Sequence, residues 1–261
     1  MHPYLQIAIK AALEAGKEIL AVYDTDFSVQ LKEDHSPLTL ADERSNRVIN
    51  KHLEATKIPI ISEENKQIAF NDRKDWEKCW IVDPLDGTKE FVKRNGEFTV
   101  NIALVERGTP VLGVIYVPVI ETLYYGTKDL GKSFKAIVDQ PNIDLVSSKA
   151  EAIHPANLQE PYKIVGSRSH LNEDTQNFIK KIEKQHPVEL VSKGSSLKFC
   201  LVAEGLAHIY PRFAPTMEWD TAAGQAICEA VGISVIDQQT QKPLRYNKEN
   251  LLNPHFLVTL P

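Results

Sequence analysis

Between Trp80 and Thr88 the chain reads Trp-Ile-Val-Asp-Pro-Leu-Asp-Gly-Thr, and few local structures can accommodate that order. Trp80, Ile81 and Val82 have the make-up of a buried strand. Asp83 is expected to end it, because Pro84 has no N–H to offer a ladder. Asp86-Gly87 is turn chemistry, and Thr88 is expected to cap a short helix running on through Lys89, Glu90 and Phe91. Two carboxylates three residues apart then sit on a tight turn, with the Leu85 carbonyl between them. Hard divalent cations take carboxylate and carbonyl oxygens in such clusters, and the free N–H groups at a helix start suit a phosphate. In isolation this pattern is ordinarily a plain strand, turn and capped helix. Only further acidic segments converging on it would make a metal site.

Such segments are present. Ile58-Pro59-Ile60-Ile61 is a short apolar run that ends in Ser62-Glu63-Glu64-Asn65, so a second strand finishes in acid groups. A helix is expected from about Leu40, after the loop His35 to Thr39, with Asp42 in its first turn. There a carboxylate serves the helix dipole; its alternative role is to orient a water near metals. Glu218-Trp219-Asp220-Thr221 opens a helix of small residues, Ala222-Ala223-Gly224-Gln225-Ala226, which permit close packing near a ligand.

The remaining chain divides into two styles. Leu5, Ala8, Ile9, Ala12, Leu13, Gly16, Ile19, Leu20 and Tyr23 recur at helical spacing, and Phe27, Val29 and Leu31 alternate as in a strand. Lys66 to Lys78 is polar, with the character of a mobile surface excursion. Thr99 to Val105, Val111 to Val117, Thr122 to Tyr125 and Ser133 to Val138 suggest an antiparallel meander, with Gly108-Thr109-Pro110 joining the first two strands. Asp139 to Pro161 is polar and weakly periodic, and the join between two domains, 1–141 and 142–261, is placed there. Beyond it, strands at Lys163 to Gly166, Val188 to Val191 and Ala207 to Tyr210 alternate with helices after Asn172 and after Gly194-Ser195-Ser196. An α+β first half and an α/β second half follow.

Composition narrows the function classes. A net charge of −5 argues against a binder of nucleic-acid polymers, though not against a local basic pocket. Cys79, Cys200 and Cys228 form no C-x-x-C pair and sit in apolar settings, as buried free thiols do in a reducing compartment. Lys10, Glu14, Lys17 and Glu18 break any signal-peptide-like run, and the apolar stretch Val111 to Ile120 is too short to span a bilayer. A cytoplasmic protein is expected, with peripheral contact at the cytoplasmic face of a membrane left open, as is oligomeric state.

Taken together in this order, Leu40-Ala41-Asp42, Glu63-Glu64, Asp83 to Thr88 and Trp219 to Gly224 resemble the inositol monophosphatase superfamily of magnesium-dependent, lithium-sensitive phosphatases. Asp83 to Phe91 (DPLDGTKEF), Arg94 to Asn101 (RNGEFTVN), Gly194 to Gly205 (GSSLKFCLVAEG) and Tyr210 to Phe213 (YPRF) resemble its 3′(2′),5′-bisphosphate nucleotidase branch. The resemblance spans most of the chain and implies a layered αβαβα sugar-phosphatase-type fold. It also implies that Glu63, Asp83 and the Leu85 carbonyl hold one Mg²⁺, while Asp83, Asp86 and Asp220 hold a second. A weaker third ion at Glu63 would make three.

The same resemblance supplies an expected chemistry: attack of a two-metal activated water on a phosphate monoester. Asp42 and Thr88, with Glu63 as a further candidate, would orient and deprotonate that water. The main-chain N–H groups of Gly87 and Thr88 would hold phosphate oxygens. Glu63, Leu85, Asp86 and Asp220 would line the substrate on the metal side, and Ser195, Lys198, Arg212 and His170 would meet the rest of a small nucleotide bisphosphate. On sequence alone Lys198 is better read as a solvated helix lysine, while Arg212 could equally be a surface ion-pair partner and His170 a loop cap. The expected reaction is hydrolysis of the 3′-phosphate of adenosine 3′,5′-bisphosphate to AMP, with 3′-phosphoadenylyl sulfate as a further substrate. The alternatives are an inositol monophosphatase or broad sugar phosphatase and, from another class, a nucleotide-binding sensor without catalysis.

Overall fold

The computed structural model describes residues 1–31, 37–157, 159–166 and 172–260. The opening periodicity folds as helix α1 (Pro3–Tyr23), with Leu5, Ala8, Ile9, Ala12, Leu13 and Ile19 turned inward. A two-stranded antiparallel ribbon, β1 (Val29–Leu31) with β2 (Pro37–Thr39), leads into α2 (Leu40–Glu54). α2 starts on a reciprocal cap: the Ala41 N–H donates to Thr39 Oγ1, and the Thr39 N–H donates to Asp42 Oδ2 at 2.8 Å.

Next come β3 (Ile60–Ser62), the single turn α3 (Phe70–Arg73), β4 (Lys78–Asp86), α4 (Thr88–Val92), β5 (Thr99–Glu106), β6 (Thr109–Val117), β7 (Thr122–Thr127), β8 (Lys132–Ile137), α5 (Ile143–Lys149) and β9 (Glu151–Ile153). β3 to β9 form one sheet in chain order, antiparallel throughout except for the β3–β4 pair. The expected meander is therefore present. Its first turn is tighter than expected: Arg107 and Gly108 both take positive φ, as a two-residue hairpin turn requires, and Thr109-Pro110 already belongs to β6. The sheet also runs past the expected join at 141/142, because β9 pairs with β8. The polar excursion 66–78 is pinned rather than free, since Arg73 is buried and its guanidinium donates to Asn247 Oδ1 at 2.7 Å.

The second half contributes β10 (Tyr162–Gly166), α6 (Glu173–Glu183), β11 (Val188–Ser192), α7 (Leu197–Ala203), β12 (Ile209–Arg212), a 3-10 turn Glu218–Asp220, α8 (Ala222–Glu229), β13 (Ser234–Asp237) and β14 (Phe256–Thr259). The strand order is β11-β10-β12-β14-β13. β10 runs parallel to β11 and β12, whereas β14 is antiparallel to both its neighbours. β14 thus lies inside the sheet although it is last in the chain.

Alternation along the strands of the first sheet sorts its two faces. Trp80, Val82, Ile102, Val114 and Leu123 face α1 and α2; Ile81, Ala103 and Ile115 share a core with Phe199, Cys200, Ala223 and Ile227 of α7 and α8. Val165, Val235, Phe256 and Val258 of the second sheet close that core from the far side. α6 packs on β11 and β12. The layers run helix pair, sheet, helix pair, sheet, helix. Gly113 lets α8 lie directly on β6, since a Cβ there would stand 2.2 Å from the Ala223 carbonyl oxygen. All three cysteines are buried and free. No helix among the described residues is long and apolar enough to cross a membrane.

Candidate active site

β4 does not stop at Asp83. Asp83 pairs with Asn101 and Asp86 with Thr99, so three residue steps on β4 face two on β5, and the ladder continues through a bulge. Pro84 is tolerated because it falls inside this bulge, between the paired Asp83 and Asp86, where no ladder N–H is demanded; its carbonyl accepts from the Ser45 hydroxyl of α2 at 2.6 Å. The bulge re-aims Asp83, Leu85 and Asp86 toward the strand's end. Gly87, at φ 91°, then forms the N-cap of α4, a left-handed conformation that favours glycine. Thr88 is accordingly the first helical residue rather than the cap. Its hydroxyl lies 3.2 Å from Asp42 Oδ1 and 3.3 Å from the Leu85 carbonyl oxygen.

Around this turn Asp83, Asp86 and Asp220 each bring a carboxylate oxygen within 4.8 Å of the others. Each carboxylate has one oxygen held by the protein. Asp83 Oδ1 accepts from the Leu85 N–H at 3.1 Å, and Asp220 Oδ2 from the Met217 N–H at 2.7 Å. Asp86 Oδ2 accepts from the Ser195 hydroxyl at 2.6 Å, the Ser196 N–H and hydroxyl at 2.7 Å each, and the Asn101 amide at 3.3 Å. The other oxygen of each carboxylate has no hydrogen-bond partner among the described residues.

Burial, reinforced by Glu63, Asp86 and Asp220, raises the Asp83 carboxyl well above its ordinary range. Burial and then the Asp86 charge push Asp220 up to about 8. Carboxylates so crowded resist ionising together unless a cation joins them. An all-oxygen donor set with one unclaimed oxygen per residue fits a hard divalent ion. Glu63 is outside the triad but lines the same cleft of about 360 Å³, with Asp83, Leu85, Gly87, Thr88 and Asp220.

A second cavity, of about 140 Å³, adjoins the first and shares Asp86, Gly87, Lys89, Glu90 and Asp220 with it. Its far wall carries Ser195, Lys198, Tyr210 and Arg212. These lie where β11 and β12 finish on either side of β10, at the carboxyl ends of parallel strands, where ligands collect in such sheets. Lys198 is buried, not solvated: its ammonium donates to the Ser195 carbonyl and sits 5.5 Å from the Tyr210 ring centroid. Burial lowers its pKa to about 8, with Asp86 opposing the shift and Arg212 adding to it. Arg212 donates to the Pro215 carbonyl at 3.1 Å, while its buried Nε–H has no partner among the described residues.

Of the anticipated residues, Asp42, Glu63, Asp83, Leu85, Asp86, Gly87, Thr88, Ser195, Lys198, Arg212 and Asp220 thus gather around two joined cavities or, in the case of Asp42, behind Thr88. His170 lies outside the described residues. Local patterning gave no warning of four contributors. Ser196 and Asn101 hold Asp86, Thr99 Oγ1 lies 2.6 Å from the Ser195 hydroxyl, and Glu97 accepts from the Gly194 N–H at 2.9 Å and from Lys193 at 3.2 Å. The only hint was their place within Arg94 to Asn101 and Gly194-Ser195-Ser196, segments whose distance along the chain hides their pairing.

The sequence profile of the Inositol monophosphatase family matches residues 1–257. The chain belongs to the inositol monophosphatase family. Family members are metal-dependent, and the acidic triad is a group that could hold a metal. Among relatives, the 3′(2′),5′-bisphosphate nucleotidase CysQ of Salmonella typhimurium is 44% identical over 261 residues, covering 98% of this chain and 99% of its own. CysQ of Escherichia coli strain K12 is 43% identical over 254 residues, covering 95% and 96%. The crystal structure of CysQ from Bacteroides thetaiotaomicron superposes with a TM-score of 0.89 at 48% identity, over 98% of this chain and 97% of that one. An inositol monophosphatase from Anabaena shares the fold at a TM-score of 0.73 and 24% identity, over 98% and 90%.

Proposed function

We propose that this inositol monophosphatase family member is a Mg²⁺-dependent 3′(2′),5′-bisphosphate nucleotidase that removes the 3′-phosphate of adenosine 3′,5′-bisphosphate. One observation carries the reading: an acidic cleft suited to cations opens directly into a pocket walled by Lys198 and Arg212. A bisphosphate needs both, one for the phosphoryl group that leaves and one for the phosphate that stays. The relatives named as such nucleotidases match over nearly the whole chain.

Glu63, Asp83, the Leu85 carbonyl, Asp86 and Asp220 would hold two Mg²⁺ ions, and Glu63 would reach a third. Ions bound there would supply neutralisation of phosphoryl charge and activation of a water. The chain's own groups do the remaining work. The Thr88 hydroxyl, tied to Asp42, orients the attacking water, and Asp42 takes up its proton through Thr88. The N–H groups of Gly87 and Thr88 bind phosphoryl oxygens. Asp220 faces the departing ribose oxygen. Ser195, Lys198, Arg212 and, beyond the described residues, His170 hold the nucleotide. The unpartnered Nε–H of Arg212 is a donor in want of an anion. No covalent phosphoenzyme is required, and 3′-phosphoadenylyl sulfate fits the same contacts.

Phosphate release measured across adenosine 3′,5′-bisphosphate, its 2′,5′ isomer, 3′-phosphoadenylyl sulfate, AMP and inositol 1-phosphate tests this. The expected result is strong preference for bisphosphates with Mg²⁺, loss with EDTA and inhibition by Li⁺. Preference for inositol 1-phosphate would replace the reading by the sugar-phosphatase one. Tight bisphosphate binding with no release in Mg²⁺ would replace it by a sensor.

A further inference from the structure

Asp220 stands on a one-turn 3-10 segment, and a hydrogen bond from the Met217 N–H holds one of its carboxylate oxygens. Where that carboxylate points therefore depends on how the turn itself is fixed. The turn is gripped from one side by residues 247–253. Glu218, fully buried, accepts from the Lys248 ammonium at 2.6 Å, the Lys248 N–H at 3.0 Å and the Asn247 N–H at 2.6 Å. Its own N–H donates to the Leu251 carbonyl at 2.9 Å. Asn253 donates to the Met217 carbonyl at 2.7 Å and to the Thr221 hydroxyl at 2.9 Å, and Lys248 also reaches Asn253 Oδ1 at 3.4 Å. Asn247 in turn is clasped by buried Arg73, whose carbonyl accepts from the Asn247 amide at 2.8 Å.

A carboxylate with no exposure costs heavily to desolvate, and packed apolar side chains generally serve stability as well. What a buried ion pair adds is direction. Glu218 lines neither cavity, so it touches neither substrate nor cation. We propose that the Glu218–Lys248 pair is a positioning device that sets the Asp220 carboxylate for divalent-cation binding. This rests on the assignment of Asp220 as a metal ligand. Residues on both sides of Asp220 are held, so loosening the grip lets the turn swing and the carboxylate leave the triad. Groups that orient metal ligands from behind commonly matter to affinity nearly as much as the ligands.

The test uses Mn²⁺ as the probe, titrated into full-length protein without substrate and followed by electron paramagnetic resonance. Thermal unfolding of the metal-free protein is recorded in parallel. Glu218→Gln and Lys248→Met are compared with Leu123→Ala, a core truncation in β7 away from the site. Each of the first two is expected to weaken Mn²⁺ binding roughly 10-fold or more at temperatures where it is folded. Leu123→Ala should lower the unfolding temperature with Mn²⁺ affinity unchanged. A folded Glu218→Gln or Lys248→Met protein that binds Mn²⁺ as the wild type does would overturn the proposal. So would a Leu123→Ala protein weakened to the same degree. Wild-type protein that binds no Mn²⁺ would remove the metal assignment itself.

Discussion

The Thr88 hydroxyl lies 3.2 Å from Asp42 Oδ1, joining the first residue of α4 to the first turn of α2. The other Asp42 oxygen is spent on the cap of α2, where it accepts from the Thr39 N–H at 2.8 Å and the Thr39 hydroxyl at 2.7 Å. One carboxylate therefore serves both the helix and the candidate water-orienting hydroxyl. Asp42→Asn is expected to lower turnover about 100-fold or more, the range for loss of a positioned proton acceptor, with Mn²⁺ affinity retained. Thr88→Ala should do the same, and the double variant should be no worse than the poorer single one. Steady-state phosphate release at saturating Mg²⁺ decides it; unchanged turnover in Asp42→Asn would remove Asp42 from the mechanism.

Replacing Lys198 or Arg212 by alanine should raise KM for adenosine 3′,5′-bisphosphate by about 10- to 100-fold, as loss of a charged hydrogen bond does. Hydrolysis of inositol 1-phosphate should change far less. Equal losses on both substrates would mean that these cations support the fold rather than the second phosphate.

The pH dependence of stability has a definite sign. Asp83 and Asp220 are raised in the folded state, Asp220 to about 8, so the folded, cation-free protein holds protons that the unfolded chain releases near pH 4. The Asp220 contribution is complete below that range and drains away as pH rises through about 8, and Asp83 acts in the same direction. Urea unfolding in EDTA should show falling stability between pH 5 and pH 9, and Mg²⁺ should restore most of it at the upper end. A flat profile in EDTA would show that the triad is not electrostatically crowded.

The contact between α8 and β6 offers a purely structural check. Gly113→Ala would drive a methyl to 2.2 Å from the Ala223 carbonyl oxygen, which is main chain and cannot rotate away. A loss of about 1–3 kcal/mol, or more, is expected from such overpacking. Because α8 begins just after Asp220, weaker Mg²⁺ binding should accompany it. Denaturant midpoints and Mg²⁺ activation curves give both numbers.

What could be seen in the sequence was whatever is decided locally or by strong patterning. α1 and the β5–β8 meander announce themselves through periodicity, and the layered fold was implied by the family resemblance that the ordered motifs carry. The failures have a common cause in contacts between distant segments. Pro84 looks like a strand terminator until Asn101 and Thr99 of β5 pair with Asp83 and Asp86 on either side of it and leave it in a bulge. Lys198 looks solvated until Tyr210 and the Ser195 carbonyl enclose it. Arg73 looks like part of a free loop until Asn247 claims its guanidinium. At the candidate site, the gathering of Asp83, Asp86 and Asp220 could be expected because few residue types can hold a divalent cation. The hydroxyl and amide groups around Asp86 could not, because Ser196 and Asn101 occur at such positions for many reasons.

The seat of β14 between β12 and β13 bears on how the molecule is made. Synthesis delivers β12, with Arg212 at its end, well before the strand that must lie beside it. Until Phe256–Thr259 has emerged and slotted in, β12 has an open edge and β13 has no neighbour in that sheet. The Arg212 side of the candidate site should therefore mature only after β14 clears the ribosome, while the first sheet can close earlier. A chain cut before Phe256 would leave the wall of Lys198, Tyr210 and Arg212 unbuilt, although Glu63, Asp83, Asp86 and Asp220 are already present along it.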